Sequence, residues 1–272
     1  MEKSCNSLAT SGLRAYNRCM LLVANWKMNF TTTEAVRNFK KFSKLESKDI
    51  EIIIAAPQIT LAMMAEAAKA DETTKVKVAA QNFDFHPNGA RTGETGIEQI
   101  IGLVEYALVG HSERRIYYRE TEKETAQKVA AALSTKIRPI LCVGETALER
   151  ERKQAELVVR AQVAAGLAGV ASNRLGEVII AYEPVWSIST MGGSKLCKPS
   201  DAAKMLEVIR DEVKVMFGAG AKKVQVLYGG SVDSDNVTSY ARTAKADGFL
   251  VGGASLNVYS FRDILDKMEL LR

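Results

Sequence analysis

At 272 residues the chain is longer than most single domains, which run to about 100–200, yet within the size of one large α/β barrel. Hydrophobic residues at 47% and charged residues at 25% are globular values, and they exclude a disordered tail, a collagen-like fibre and a disulfide scaffold. The net charge of +5 comes from 37 basic and 32 acidic residues that interleave without a block of one sign, so a mild preference for small anions is expected and a nucleic-acid footprint is not.

Residues 1–19 carry Ser, Asn and Arg, a single acid (Glu2) and no apolar run of the kind a secretory signal needs. They are expected to be a disordered extension, with a transit-like leader as the other reading, and the fold is expected to occupy 20–272. From Met20 onward, β-rich runs alternate with segments of helical spacing, the pattern of a parallel sheet. The predicted strands are Leu21 to Asn25, Ile50 to Ala55, Val76 to Gln81, Tyr106 to Gly110, Ile137 to Val143, Val178 to Glu183, Val224 to Tyr228 and Gly248 to Val251.

Between them, Thr31 with Glu34 and Thr121 with Glu124 have the spacing of helix capping boxes, in which a hydroxyl and a carboxylate satisfy each other's terminal amides. The helix after the sixth strand is predicted to be capped by Ser200 or Asp201. It carries an apolar stripe of Met205, Leu206, Ile209, Val213 and Met216, and it stops at Gly218. No apolar run approaches the roughly 18–20 residues that span a bilayer, so no membrane association is expected. Cys5, Cys19, Cys142 and Cys197 lack metal-ligand spacing and only His86 and His111 could assist them, so no metal or other cofactor is expected. Scattered thiols suit a reducing, cytoplasmic setting.

Eight strand–helix units without a linker fit a closed (β/α)8 barrel, and an open doubly wound sheet fits the same periodicity. In a barrel the chemistry gathers at the carboxyl ends of the strands. There the chain reads Asn25-Trp26-Lys27, then Gly110-His111-Ser112-Glu113, then Tyr182-Glu183-Pro184, each placing a polar group directly after an apolar run. Singly, such residues are solvated lysines, helix caps or salt-bridge partners. Gly229-Gly230-Ser231 and Gly252-Gly253-Ala254 follow the seventh and eighth strands; a glycine pair alone marks a tight turn, but two at these positions let backbone amides approach an anion, aided by a helix expected to start near Ala254. One carboxylate, one imidazole, one ammonium and an anion cradle, without a nucleotide fingerprint, suit proton transfer on a small phosphorylated carbonyl compound.

The strings Asn25 to Asn29 (NWKMN), Gly110 to Arg115 (GHSERR), Ala181 to Trp186 (AYEPVW), Tyr228 to Val232 (YGGSV) and Gly248 to Leu256 (GFLVGGASL) together resemble the triosephosphate isomerase family, in the family's order and from about Met20 to the C-terminus. The resemblance implies a closed TIM barrel and a cofactor-independent isomerase of dihydroxyacetone phosphate and D-glyceraldehyde 3-phosphate that works through an enediolate. It implies Glu183 as base, His111 as a neutral electrophile held by a helix N-terminus, Lys27 and Asn25 as oxyanion and substrate contacts, and Glu113 as a carboxylate tuning Lys27. Ser189, Gly230, Ser231, Gly252 and Gly253 would bind phosphate, and Cys142 would pack beside the base without chemistry of its own.

The same resemblance makes the segment Asn82 to Gly96 the arm of a homodimer, with Thr92 reaching the partner's site. Arg91 stands where the family usually has an aromatic, and its stem is expected to cover similar apolar surface. After Trp186 the family usually reads Ala-Ile-Gly-Thr-Gly-Lys; here the chain reads Ser187, Ile188, Ser189, Thr190, Met191 and Gly192, with about three further residues before Pro199. The tip glycine that donates an amide to phosphate thus corresponds to Ser189, and Gly192 and Gly193 are expected to supply a shifted hinge. An isomerase of another short phosphosugar and a phosphate-binding barrel without catalysis are the alternatives.

Overall fold

The computed structural model describes residues 19–188 and 196–271, so the expectations for the N-terminal extension and for Ser189, Met191, Gly192 and Gly193 lie outside the described residues. The eight strands are β1 (Met20–Asn25), β2 (Ile50–Ala56), β3 (Lys77–Ala80), β4 (Tyr106–Val109), β5 (Arg138–Val143), β6 (Ile179–Tyr182), β7 (Gln225–Tyr228) and β8 (Gly248–Val251). Each pairs in parallel with its neighbours in chain order, and β8 returns to β1, which makes the sheet a closed barrel and rules out the open alternative. The predicted strands differ from these by a residue or two at their ends, as at Gln81 and Glu183, whose side chains are engaged at the mouth instead.

Alternation along each strand divides the apolar residues. Leu21, Val23, Ile53, Leu108, Ile179 and Leu227 belong to the cluster that fills the barrel, while Leu22, Ile52, Ile54, Ile180 and Val226 face the helical shell. That shell is α1 (Thr32–Phe42), α2 (Leu61–Ala70), α3 (Ser112–Tyr117), α4 (Glu122–Ser134), α5 (Ala147–Glu151), α6 (Ala155–Gly166), α7 (Pro199–Phe217), α8 (Val237–Ser239, running into a π-helical turn Tyr240–Ala244) and α9 (Val258–Glu269).

Both predicted capping boxes form, and a third, Thr146 with Glu149, opens α5. The cap of α7 differs from expectation: Lys198 is the N-cap residue and Pro199 occupies the first turn, where its missing N–H is no loss and its fixed φ suits the helix. Asp201 pairs instead with Arg150 at 3.2 Å. The stripe buries Met205, Leu206, Ile209 and Val213 and leaves Met216 half-buried, and Gly218 ends the helix at a φ of 56°. Among the described residues no helix is long and apolar enough to cross a membrane.

Closure depends on a glycine. Gly248 lies opposite Leu21 at the β8–β1 seam, and a Cβ there would fall 2.1 Å from the Leu21 carbonyl oxygen. Gly248→Ala should force the seam apart and lower stability by about 2 kcal/mol or more, the range of strained or overpacked core changes. Urea unfolding followed by circular dichroism would read this as a lower midpoint with an unchanged slope.

Candidate active site

All eight strands point their carboxyl ends at one mouth, where a cavity of about 310 Å³ is lined by Asn25, Lys27, His111, Glu183, Ser231 and Gly253, among others. The barrel therefore gathers residues from the ends of β1, β4, β6, β7 and β8, from Asn25 to Ala254, that are up to 229 positions apart in the chain.

Lys27 takes a left-handed backbone conformation, φ 51°, which costs a residue with a Cβ on the order of 1 kcal/mol or more. It is held there by its neighbours: its N–H donates to Asn25 Oδ1 at 3.0 Å, and Gln81 Nε2 donates to its carbonyl at 3.0 Å and to that of Ala55 at 2.9 Å. The side chain reaches Glu113 Oε1 at 2.6 Å, a largely buried ion pair. Gln81 was legible only as a strand end. A single glutamine gives no sequence signal for a side chain that braces the backbone of a loop 54 residues away.

His111 is the N-cap residue of α3. The N–H of Glu113 donates to its Nδ1 at 3.2 Å; a backbone amide can only donate, so Nδ1 carries no proton and the imidazole is the neutral Nε2–H tautomer. Glu113 Oε2, 3.7 Å from Nδ1, is beyond hydrogen-bond reach. The Nε2–H then donates to Glu183 Oε1 at 3.0 Å. The other carboxylate oxygen, Oε2, accepts the backbone N–H of Ser112 at 2.8 Å. Glu183 is only 1% exposed, and these two donors satisfy its buried charge. Gly144 makes room for it, since a Cβ at that position would meet the Glu183 carbonyl at 1.7 Å. Asn25 Nδ2 lies 3.2 Å from the same His111 Nε2. With Asn25 Oδ1 already committed to Lys27 and Nε2 protonated, both nitrogens are donors that lie side by side at the cavity wall.

Behind His111 sits a buried ion cluster that the sequence reading missed. Glu120 Oε1 accepts the Gly110 N–H at 3.1 Å, its Oε2 accepts Arg114 Nε, and Lys128 Nζ bonds Glu120 Oε2 and Asn82 Oδ1, each at 2.7 Å. Burial alone would raise the Glu120 carboxyl, but Lys128 and Arg114 hold it below the usual carboxylate value.

Across the mouth, Gly229, Gly230, Ser231, Gly252, Gly253 and Ala254 line the cavity. Among the described residues no group accepts the backbone N–H of Gly230, Ser231, Gly253 or Ala254. The helix expected near Ala254 is a short 3-10 turn, Gly253–Leu256, and α9 begins after it under an Asn257 cap, because the chain must first turn out of the barrel. The hydroxyl of Ser231 donates to the Ser187 carbonyl at 3.0 Å. Cys142 is fully buried, and burial together with the adjacent Glu183 pushes its thiol well up, so it is an inert neighbour of the carboxylate.

Thr92 does not approach its own chain's mouth. It lines a separate cavity, also about 310 Å³, with Asp84, His86, Asn88, Arg91 and Glu94. Arg91 uses its guanidinium as well as its stem: Nη2 donates to His86 Nε2 at 2.8 Å and Nε lies 3.8 Å from Asp84 Oδ2, while His86 Nδ1 donates to Asp84 Oδ1 at 2.7 Å. The loop is thus braced by a polar triad where an apolar contact was expected.

A buried carboxylate and a neutral imidazole in contact, opposite amides that no described residue accepts and that suit an anion, belong to a barrel enzyme that moves protons on a small anionic compound. Comparison with known proteins narrows this. The family model described as triosephosphate isomerase matches residues 20–268. A triosephosphate isomerase of Streptococcus gordonii is 43% identical over 254 residues, covering 92% of this chain and 98% of the relative. One from Alkaliphilus metalliredigens is 38% identical over 249 residues, covering 90% and 98%. The chain belongs to the triosephosphate isomerase family, and it is an isomerase.

Lys128→Met should strand a buried carboxylate and destabilise the fold by about 3 kcal/mol. A carboxyl held low in the fold contributes stability above its unfolded value, near 4.5, and loses it as pH falls through the folded value. Without Lys128, burial pushes the Glu120 carboxyl up, so the variant's deficit against the unaltered protein should be full at neutral pH and narrow as pH falls below about 4.5, as read by unfolding midpoints between about pH 3 and 7.

Proposed function

We propose that the chain interconverts dihydroxyacetone phosphate and D-glyceraldehyde 3-phosphate, with the residues at the mouth dividing the work as follows. Substrate enters with its phosphate against the amides of Gly230, Ser231 and Gly253, joined by Gly252 and by Ser189. Its carbonyl oxygen sits against His111 Nε2–H and Asn25 Nδ2, with Lys27 supplying positive charge as the oxygen becomes anionic. Glu183 leaves the Ser112 amide and His111, takes a proton from the carbon next to the carbonyl, and the bonding pair moves onto the oxygen to give an enediolate. Returning the proton to the neighbouring carbon, with His111 moving the hydroxyl proton between the two oxygens, completes the isomerisation without net gain or loss of atoms or electrons. Glu113, paired with Lys27, holds that ammonium in place.

The observation that carries this reading is the contact of Glu183 with a histidine whose Nδ1 is occupied by a backbone donor, so that its neutral Nε2–H faces the cavity. A coupled assay of D-glyceraldehyde 3-phosphate conversion tests it. Glu183→Gln keeps the shape and removes the base, so kcat should fall by at least about 10²- to 10⁴-fold while a phosphoglycolate-type mimic still binds. Retention of more than a tenth of the activity would refute the assignment.

The chain is further proposed to act as a homodimer, the arm from Asn82 to Gly96 completing the partner's mouth through Thr92. In support, Met28, beside Lys27, is 94% exposed in the single chain, an apolar side chain awaiting cover. Thr92→Arg should lower activity and shift the sedimentation coefficient toward the monomer together; an intact dimer with full activity contradicts the arm's role. The buried free thiols of Cys142 and Cys197 support a reducing, cytoplasmic setting.

A further inference from the structure

Tyr240 lies outside the mouth and is almost fully buried, at 1% exposed. It opens the π-helical turn Tyr240–Ala244, a local change of helical register of the kind that re-aims a side chain. Two independent routes lead from it to the same stretch of the phosphate cradle. By the first, its hydroxyl donates to the Cys197 carbonyl, the Cys197 N–H donates to Ser187 Oγ at 2.8 Å, and the Ser187 carbonyl accepts Ser231 Oγ at 3.0 Å. By the second, its ring stacks on Tyr228, centroids 4.3 Å apart and planes at 21°. The Tyr228 hydroxyl in turn lies where a Cβ on Gly230 would be, 2.2 Å from that position.

The two routes end on Gly230 and Ser231, adjacent residues whose backbone N–H groups have no acceptor among the described residues and which line the cavity. Ser231 cannot offer its hydroxyl proton to a ligand while it donates to Ser187, so its amide is what remains for an anion. Ser187 itself is 3% exposed, and its hydroxyl is the acceptor for the buried Cys197 N–H. Alanine at Ser187 would leave that donor unsatisfied.

We propose that Ser187 and Tyr240 are positioning residues for phosphate recognition, setting the Gly230–Ser231 amides through the Cys197 backbone and the Tyr228 ring without touching substrate. This rests on the reading of that loop as the phosphate cradle. The role is selective for the phosphate end: Glu183, His111 and Lys27 are held by separate bonds, to Ser112, Glu113, Asn25 and Gln81.

The test compares Ser187→Ala, Ser187→Thr and Tyr240→Phe with the unaltered protein on two substrates, D-glyceraldehyde 3-phosphate and D-glyceraldehyde, which lacks the phosphate, and measures inhibition by inorganic phosphate. For Ser187→Ala and Tyr240→Phe, kcat/KM on the phosphorylated substrate should fall and the inhibition constant for phosphate rise, each by about fivefold or more, the value of a hydrogen bond lost from a buried set. The rate on D-glyceraldehyde should stay within about twofold, and Ser187→Thr, which keeps the hydroxyl, should recover phosphate affinity. Equal losses on both substrates would mean a general structural role and overturn the proposal, as would unchanged phosphate inhibition in folded variants. Absence of phosphate inhibition in the unaltered protein would instead refute the cradle itself. A variant that does not fold, judged by circular dichroism, leaves the decision to the other variant, because Ser187→Ala and Tyr240→Phe remove different bonds of the first route and Tyr240→Phe keeps the ring stack.

Discussion

Closure of the parallel sheet at the β8–β1 seam is the constraint on which everything else at the mouth depends. A parallel ladder lets every strand end on the same side, and joining its two edges brings the ends of β1 and β8, separated by most of the chain, into one ring. The seam tolerates no Cβ at Gly248, and it is tied above by Trp26, whose Nε1 donates to the Ser255 carbonyl at 3.1 Å. That bond joins the loop carrying Lys27 to the turn carrying Gly253. The ammonium and half of the anion cradle are therefore fixed relative to each other by the same contact that finishes the barrel.

Within that frame the site is an exercise in keeping buried charge satisfied. Glu183 is nearly inaccessible, and both its carboxyl oxygens are bonded because a helix-terminal amide and an imidazole N–H point at them. His111 can supply that N–H only because its other nitrogen is taken by the Glu113 amide, so one short helix orients both members of the pair. The Glu120–Lys128–Arg114 cluster fixes the turn from which that helix departs, through the Gly110 amide. Each polar residue at the mouth thus has a second residue behind it that determines which way it faces.

The loop from Asn82 to Gly96 shows how one side chain directs packing. Arg91 brings a cation to a loop that already holds Asp84 and His86, and the three form a connected set. The loop is tied by polar bonds within itself. Thr92 is presented at its edge rather than folded toward its own barrel.

The sequence by itself determined the alternation of eight strands and helices, two of the three capping boxes and the groups that follow the first, fourth, sixth, seventh and eighth strands at the mouth, because these follow from local spacing and from side chains that act on their own neighbours. It also carried the motifs around Asn25, Lys27, His111 and Glu183, since those residues stand beside their strands in the chain. Barrel closure over an open sheet came from the family resemblance and from the structure, not from periodicity, because both folds have the same alternation and differ in whether β1 meets β8. Only the tertiary structure decided Gln81 bracing Lys27, the Glu120–Lys128 pair behind His111, Arg91 choosing Asp84 and His86, and Tyr240 reaching Cys197. Most of these are contacts between residues tens of positions apart, and Arg91 meets its partners only through the folding of its loop. Hydrophobic and helical periods extend over a few turns at most, so nothing in them specifies which distant side chain a folded surface will bring within 3 Å.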